Sequence, residues 1–197
     1  VSSPYIHDTD YFPLLSILPD VNRSLGSKRS FHRPNLGVSR VQKITTCLWF
    51  PNQAEEAMQF YVSIFPQAKV THVVRCGDAG PGPKGSFLFG AFAIDDIEIQ
   101  VLNGAPSLNF TPAISLSVNC ETQAEIDLLW EKLTEGGSEV QCGWLTDKYG
   151  ISWQIVPSII GKLMTDPDPV RTARLMQAMF PMVKLDIAKL QAAFDGE

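Results

Sequence analysis

The periodic part of the chain begins near Gln42. Residues 43–50 (KITTCLWF) are rich in β-branched and aromatic types and predict a strand. Ala54, Ala57, Met58, Tyr61, Ile64 and Phe65 then recur at helical spacing, so 53–65 predicts an amphipathic helix. Asn52 and Glu55 form a candidate capping pair at its start, and Pro66 stops it. A strand is expected at 69–75. Gly77, Gly80, Gly82 and Gly85, with Pro81 and Pro83, predict a loop. Strands follow at 86–94 and 97–103, joined by an Asp95-Asp96 turn.

The same order then recurs. Residues 112–119 predict a strand. Thr122 and Glu125 form a capping box. Ile126, Leu129, Trp130 and Leu133 share one face of a helix over 123–134, which Gly136-Gly137 ends. Strands are expected near 139–146 and 151–156, on either side of the turn Asp147-Lys148-Tyr149-Gly150. Gln53-Ala54-Glu55 and Gln123-Ala124-Glu125 sit at equivalent points. The element order therefore reads as a duplication of strand, helix and three strands, resting more on order than on letters. After Pro157 the pattern is helical: a short helix around Ile159–Met164, a second starting at Asp168-Pro169, and a last one carrying Ile187, Leu190 and Phe194. A methionine stripe (Met176, Met179, Met182) there reads as core or subunit contact.

Composition changes this picture little. Of 197 residues, 45% are hydrophobic, enough for a core. The net charge of -5 gives no reason to expect nucleic acid as partner. No run of eighteen apolar residues exists, so a membrane-spanning helix is not expected. Charge is uneven: residues 1–40 hold five Lys/Arg and three Asp/Glu, whereas 41–197 hold eleven and eighteen. Cys47, Cys76, Cys120 and Cys142 form no C-x-x-C pair, so reduced structural thiols are expected rather than zinc ligands.

Residues 1–42 read as an extended N-terminal arm, since Pro4, Pro13, Pro19 and Pro34 work against a long helix. Its aromatics Tyr5, Tyr11, Phe12 and Phe31 cannot build a core alone and are candidate partner-binding residues. The basic, serine-rich stretch 21–44 has the composition of an organelle targeting segment. A mitochondrial or plastid setting is expected if a leader was removed, otherwise a cytoplasmic one.

Four blocks carry a more specific signal: CLWFPNQAEEAMQFYVSIFP (47–66), VNCETQAEIDLLWEKLTEGG (118–137), QCGWLTDKYGISWQIVPS (141–158) and DPDPVRTARLMQAMFPMVKLDI (166–187). Each resembles the PhnB-like branch of the vicinal-oxygen-chelate (glyoxalase/bleomycin-resistance-like) superfamily. The resemblance spans about residues 43–190. It implies an α+β fold: paired βαβββ modules, about 43–104 and 112–157 within a domain at 43–157. A C-terminal helical extension follows at 158–197. The resemblance also implies a cleft between curled strands and, usually, a homodimer. Some members of the branch carry a demethylubiquinone methyltransferase label. Nothing here resembles a glycine-rich loop for a methyl donor, because the glycines of 77–85 lie between strands.

Catalytic members of the superfamily hold one divalent metal on four inward side chains, mostly His, Glu or Gln. By resemblance the equivalent positions lie close to Thr46, Gln100, Ala113 and Gln154. That set has no carboxylate and no imidazole, so no bound metal and no cofactor are expected. An offset of one or two residues would admit Glu98, still a poor site. His72, on another strand, reads as a surface or edge residue. Alternation sets Ser152, Gln154 and Val156 on one face of the last strand, and Ser115 and Ser117 should share the inward face of theirs. Thr46, Gln100, Ser115, Ser117, Gln154 and the bordering Trp144 are the candidate ligand-binding residues, with Trp49 a second possible border. This uncharged cleft suits a neutral, partly apolar small molecule and suits acid–base chemistry badly. No catalytic residue is assigned. A Cys47 or Cys142 nucleophile would need a cationic neighbour, for which Lys148 is the candidate beside Cys142. The expected function is non-catalytic: a small-molecule binder, or an accessory subunit of a larger, organellar assembly held through its arm. A metal-independent or weakly metal-dependent enzyme of the superfamily is the alternative.

Overall fold

Leu48 and Phe50 set the phase of the first strand. Both are buried, whereas Cys47 and Trp49 on the opposite side are exposed, so one face turns to a helix and the other stays open. The computed structural model describes residues 42–104, 107 and 109–197. The arm, with Tyr5, Tyr11, Phe12 and Phe31, lies outside the described residues. Strand β1 (Thr46–Phe50) leads into helix α1 (Ala54–Ile64), and β2 (Lys69–Arg75), β3 (Phe87–Ile94) and β4 (Ile97–Asn103) complete one sheet in the order β1-β4-β3-β2. The second module repeats this with β5 (Ser115–Cys120), α2 (Gln123–Thr134), β6 (Ser138–Glu139), β7 (Trp144–Thr146) and β8 (Ser152–Pro157), ordered β5-β8-β7-β6. In each, the first and last strands pair in parallel and the remaining neighbours run antiparallel. The chain is thus α+β, built from paired βαβββ modules. Helices α3 (Ile160–Met164), α4 (Pro169–Met179) and α5 (Ile187–Asp195) follow.

Each helix covers one sheet face. Ala57, Met58 and Tyr61 of α1 are fully buried with Phe50, Phe92 and Val101; Ile126, Leu129 and Leu133 of α2 are buried with Trp153 and Ile155. Gly90 makes room for α1, because a Cβ there would sit 2.9 Å from the Met58 sulfur. The two helix-side cores merge through the β7–β8 turn. Asp147 is 3% exposed, and its carboxylate accepts from Tyr61 Oη (2.8 Å), Trp153 Nε1 (2.8 Å) and the N–H groups of Tyr149 (2.9 Å) and Ile151 (3.0 Å). Tyr61 belongs to α1, so one carboxylate joins the modules. Around it Tyr61 packs on Phe92 (stacked), Tyr149 (edge-on) and Trp153 (tilted) at centroid separations of 5.4–6.0 Å. Tyr149 Oη donates to Glu56 (2.9 Å), and Lys148 Nζ lies 4.4 Å from the Phe60 ring centre.

The C-terminal helices pack around their own cluster of Ile160, Leu163, Leu175, Leu185, Leu190 and Phe194, with Met179 and Met182 against it. Arg174 caps α5 by donating to the Ala193 and Phe194 carbonyls (3.0 and 2.8 Å), and Arg171 pairs with Asp195 at 2.5 Å. No helix among the described residues is long and apolar enough to cross a membrane.

Four local expectations need correction. The strand expected near 139–146 divides into β6 and β7, because Cys142 (φ 58°) and Gly143 (φ 79°) turn left-handed. Their N–H groups donate to Met182 and Val183 of the tail instead of continuing the ladder. Asn52 and Glu55 do not cap α1; its Ala54 N–H donates to Asn103 Oδ1 (2.9 Å) at the end of β4. In the capping box of α2, Thr122 accepts from the Glu125 N–H (3.2 Å), but Glu125 reaches back to the Glu121 N–H (2.8 Å), one residue earlier than expected. Strand β5 starts at Ser115 rather than 112, since Pro112 has no N–H and a turn closes from the Ile114 N–H to the Thr111 carbonyl (3.5 Å).

Two predictions follow from this packing. Asp147→Ala strands four buried donors and should cost ~3 kcal/mol or more in urea unfolding, whereas Tyr61→Phe should cost about 1–2 kcal/mol. Equal, near-zero losses would refute the joining role of Asp147. Cys120 ends β5 fully buried, and burial, with Glu125 and Glu121 nearby, pushes its thiol up to about 12. The folded state therefore keeps a proton that the unfolded chain loses above about pH 8.5, and stability should fall as pH rises. Urea unfolding at pH 8 and 9.5 should show a loss of stability at the higher pH that Cys120→Ala reduces, and an unchanged loss in the variant would refute the assignment.

Candidate functional site

The helices take one face of each sheet and leave the other face open. Register assigns those open faces. On the first sheet, Cys47 neighbours Gln100, Gln100 neighbours Ala91, and Ala91 neighbours His72. The adjoining row is Trp49, Leu102, Phe89 and Val74. On the second sheet, Ser117, Gln154 and Trp144 form one row, and Ser115, Ser152, Thr146 and Ser138 form the next.

The structure therefore brings Ser115, Ser117, Gln154 and Trp144 together. Gln154 Nε2 donates to Ser115 Oγ at 2.8 Å, across the β5–β8 pair. Gln100 holds the corresponding place on the first sheet. Thr46 does not: it is in phase with buried Leu48 and Phe50 and sits on the helix side of β1. The residue of matching phase is Thr45, which the Gln53/Gln123 repeat aligns with Ser115, seventy residues on. Ala113 is exposed and precedes β5, so Ser115 takes the place expected for it. Strand phase could have found Thr45, because buried Phe50 is an aromatic at the helix end of an alternating run.

With that phase, the four positions that the resemblance equates with a metal-holding set become Thr45, Gln100, Ser115 and Gln154. All are neutral, two are hydroxyls, and one amide is already bonded to one hydroxyl. This donor set does not fit a divalent first-row metal. Glu98 lies two residues from Gln100 on the same face, yet its Oε2 accepts from Thr71 Oγ1 (3.1 Å) and no second carboxylate faces it. Among the described residues no group of three or more His, Cys, Asp or Glu side chains is placed to hold a metal ion. His72 is exposed on the edge strand β2.

Neither candidate thiol is activated. Cys47 is exposed, but its sulfur is partly sheltered against the sheet face, which raises its pKa. Cys142 Sγ faces the carbonyls of Phe180 (3.5 Å) and Met179 (3.7 Å), and Lys148 is over the Phe60 ring instead of beside it. The glycines at 77–85 connect antiparallel β2 to β3 and curl around Cys76, whose N–H donates to Ser86 and whose carbonyl accepts from Gly85, both at 2.8 Å. They open no helix, so they do not fit the cradle of a nucleoside-type methyl donor.

Comparisons with known proteins agree with this architecture. The profile described as 3-demethylubiquinone-9 3-methyltransferase matches residues 42–156. A solved structure from Bacillus cereus, titled a putative 3-demethylubiquinone-9 3-methyltransferase and PhnB protein, is 39% identical. It covers 59% of this chain and 99% of its own, with a TM-score of 0.55. A Pseudomonas aeruginosa protein is 22% identical over 57% of this chain and 94% of its own (TM-score 0.49). The fosfomycin resistance protein FosX of Mesorhizobium loti is 11% identical over 64% and 99% (TM-score 0.49). No curated protein sequence matches. The chain belongs to the PhnB-like 3-demethylubiquinone-9 3-methyltransferase family of the vicinal-oxygen-chelate superfamily.

Proposed function

We propose that this chain is a non-catalytic member of its family, and that it binds a neutral, partly apolar small molecule on the open face of the second sheet. One observation carries the reading. The last-strand position is an amide, Gln154, bonded to a hydroxyl, Ser115, at 2.8 Å. Such a pair offers hydrogen bonds and no charge, so it orients a neutral ligand and leaves no group to take or give a proton near neutral pH. Trp144 supplies an aromatic wall in the same row. The methyltransferase description of the family is not carried over, because the glycine loop at 77–85 joins two strands and opens no helix.

A homodimer is the expected setting. Trp49 and Val74 on the first open face are 39% and 45% exposed, and Ile114 just before β5 is 78% exposed, apolar area of the kind a second copy covers. A role in a larger assembly rests on the arm with Tyr5, Tyr11, Phe12 and Phe31. Gel filtration of the full chain and of a chain lacking residues 1–40 tests it: a mass that deletion leaves unchanged removes the assembly role.

The binding reading is tested by titrating the full chain with 2-phenylethanol, observed by amide chemical shifts, alongside metal analysis and a glyoxalase-type assay. Saturable shifts on β5, β7 and β8, weakened by about fivefold in Gln154→Ala, are expected. Stoichiometric metal, or turnover of a hemithioacetal, would overturn it.

A further inference from the structure

The second open face carries more polar groups than the Gln154–Ser115 pair uses. Ser152 is only 4% exposed, yet its hydroxyl bonds to no described group. No side-chain nitrogen or oxygen among the described residues is both sealed from solvent and unpaired. The Ser152 hydroxyl therefore reaches the surface of the open face, at the bottom of the row formed with Ser115, Thr146 and Ser138. Ser117 and Thr146 are likewise without side-chain partners among the described residues.

Three features narrow the ligand. First, the rows Ser115–Ser152–Thr146–Ser138 and Ser117–Gln154–Trp144 contain no charged side chain, so nothing there compensates an anion or a cation. Second, every hydroxyl in them both donates and accepts, as does the amide, which matches a ligand made of hydroxyls. Neighbouring strands are about 4.8 Å apart, close to the separation of alternate hydroxyls on a six-membered sugar ring. Third, the Trp144 ring belongs to neither hydrophobic cluster and stays half-buried beside Gln154, free to pack on the C–H face of such a ring. A purely apolar ligand would leave the Ser152 hydroxyl unmet.

We infer that the second open face binds a neutral polyhydroxylated ligand, a sugar or cyclic polyol, with Ser152, Ser117 and Gln154 bonding its hydroxyls and Trp144 stacking on its ring. This inference rests on the proposal that the same face is the ligand site, and it names the class of ligand.

The test uses the full chain with methyl β-D-glucopyranoside and myo-inositol, against 2-phenylethanol, read by amide shifts and tryptophan fluorescence. Saturable binding of either polyol is expected. Ser152→Ala should weaken it about fivefold while leaving the melting temperature unchanged. Trp144→Ala should weaken it as well. Binding of 2-phenylethanol at β5, β7 and β8 without either polyol would overturn the polyol inference and leave the site standing. No binding of any of the three would remove both. Polyol binding that Ser152→Ala leaves unchanged would also overturn the assignment.

Discussion

A single buried carboxylate organises this molecule. Asp147 sits in the β7–β8 turn and takes hydrogen bonds from Tyr61, Trp153 and two backbone N–H groups. A charge so far from water persists only when its lone pairs are met, and here each oxygen receives two donors. Because one donor belongs to α1 and the rest to the second module, satisfying the charge also fixes the modules to each other. Burial and the adjacent Asp147 charge push the Tyr61 hydroxyl well above the usual tyrosine range, so it stays a donor at any ordinary pH. The join lies on the helix side of both sheets, which is why their other faces are left open.

The open faces present Gln100, Ser115 and Gln154 on strands, and Thr45 just before β1. What those residues can do is set by their heads. An amide keeps the length and hydrogen-bonding reach of a carboxylate but lacks its charge, so it can grip a neighbouring hydroxyl, as Gln154 grips Ser115, and holds a divalent ion poorly. Family membership and architecture therefore say little about activity here, and the side chains on two rows of the second sheet say more. The two faces also differ: Trp49, Leu102, Phe89 and Val74 make the first partly apolar, while serines and a threonine make the second polar.

Where sequence reading succeeded, the signals were local. The helical period of Ala57, Met58 and Tyr61, the Thr122 cap and the Asp168-Pro169 start each act within a few residues, and each helix stands where its letters place it. Where it failed, distant residues intervened. Asn103, far along the chain, took the capping role expected of Asn52. The carbonyls of Met182 and Val183 drew Cys142 and Gly143 away from their strand. The candidate site divided in the same way: the phase of β8 was readable from Trp153 and Ile155, whereas that of β1 was misjudged by one position at Thr46.

The amino-acid order alone determined the element types and their duplicated succession, because propensity and period are properties of short stretches. Only the tertiary structure decided which strand face stays open, that Ser115 rather than Ala113 meets Gln154, and that Ser152 is buried in the row beside them. Those outcomes depend on register between strands far apart in the chain and on a buried charge that must gather its donors from both modules.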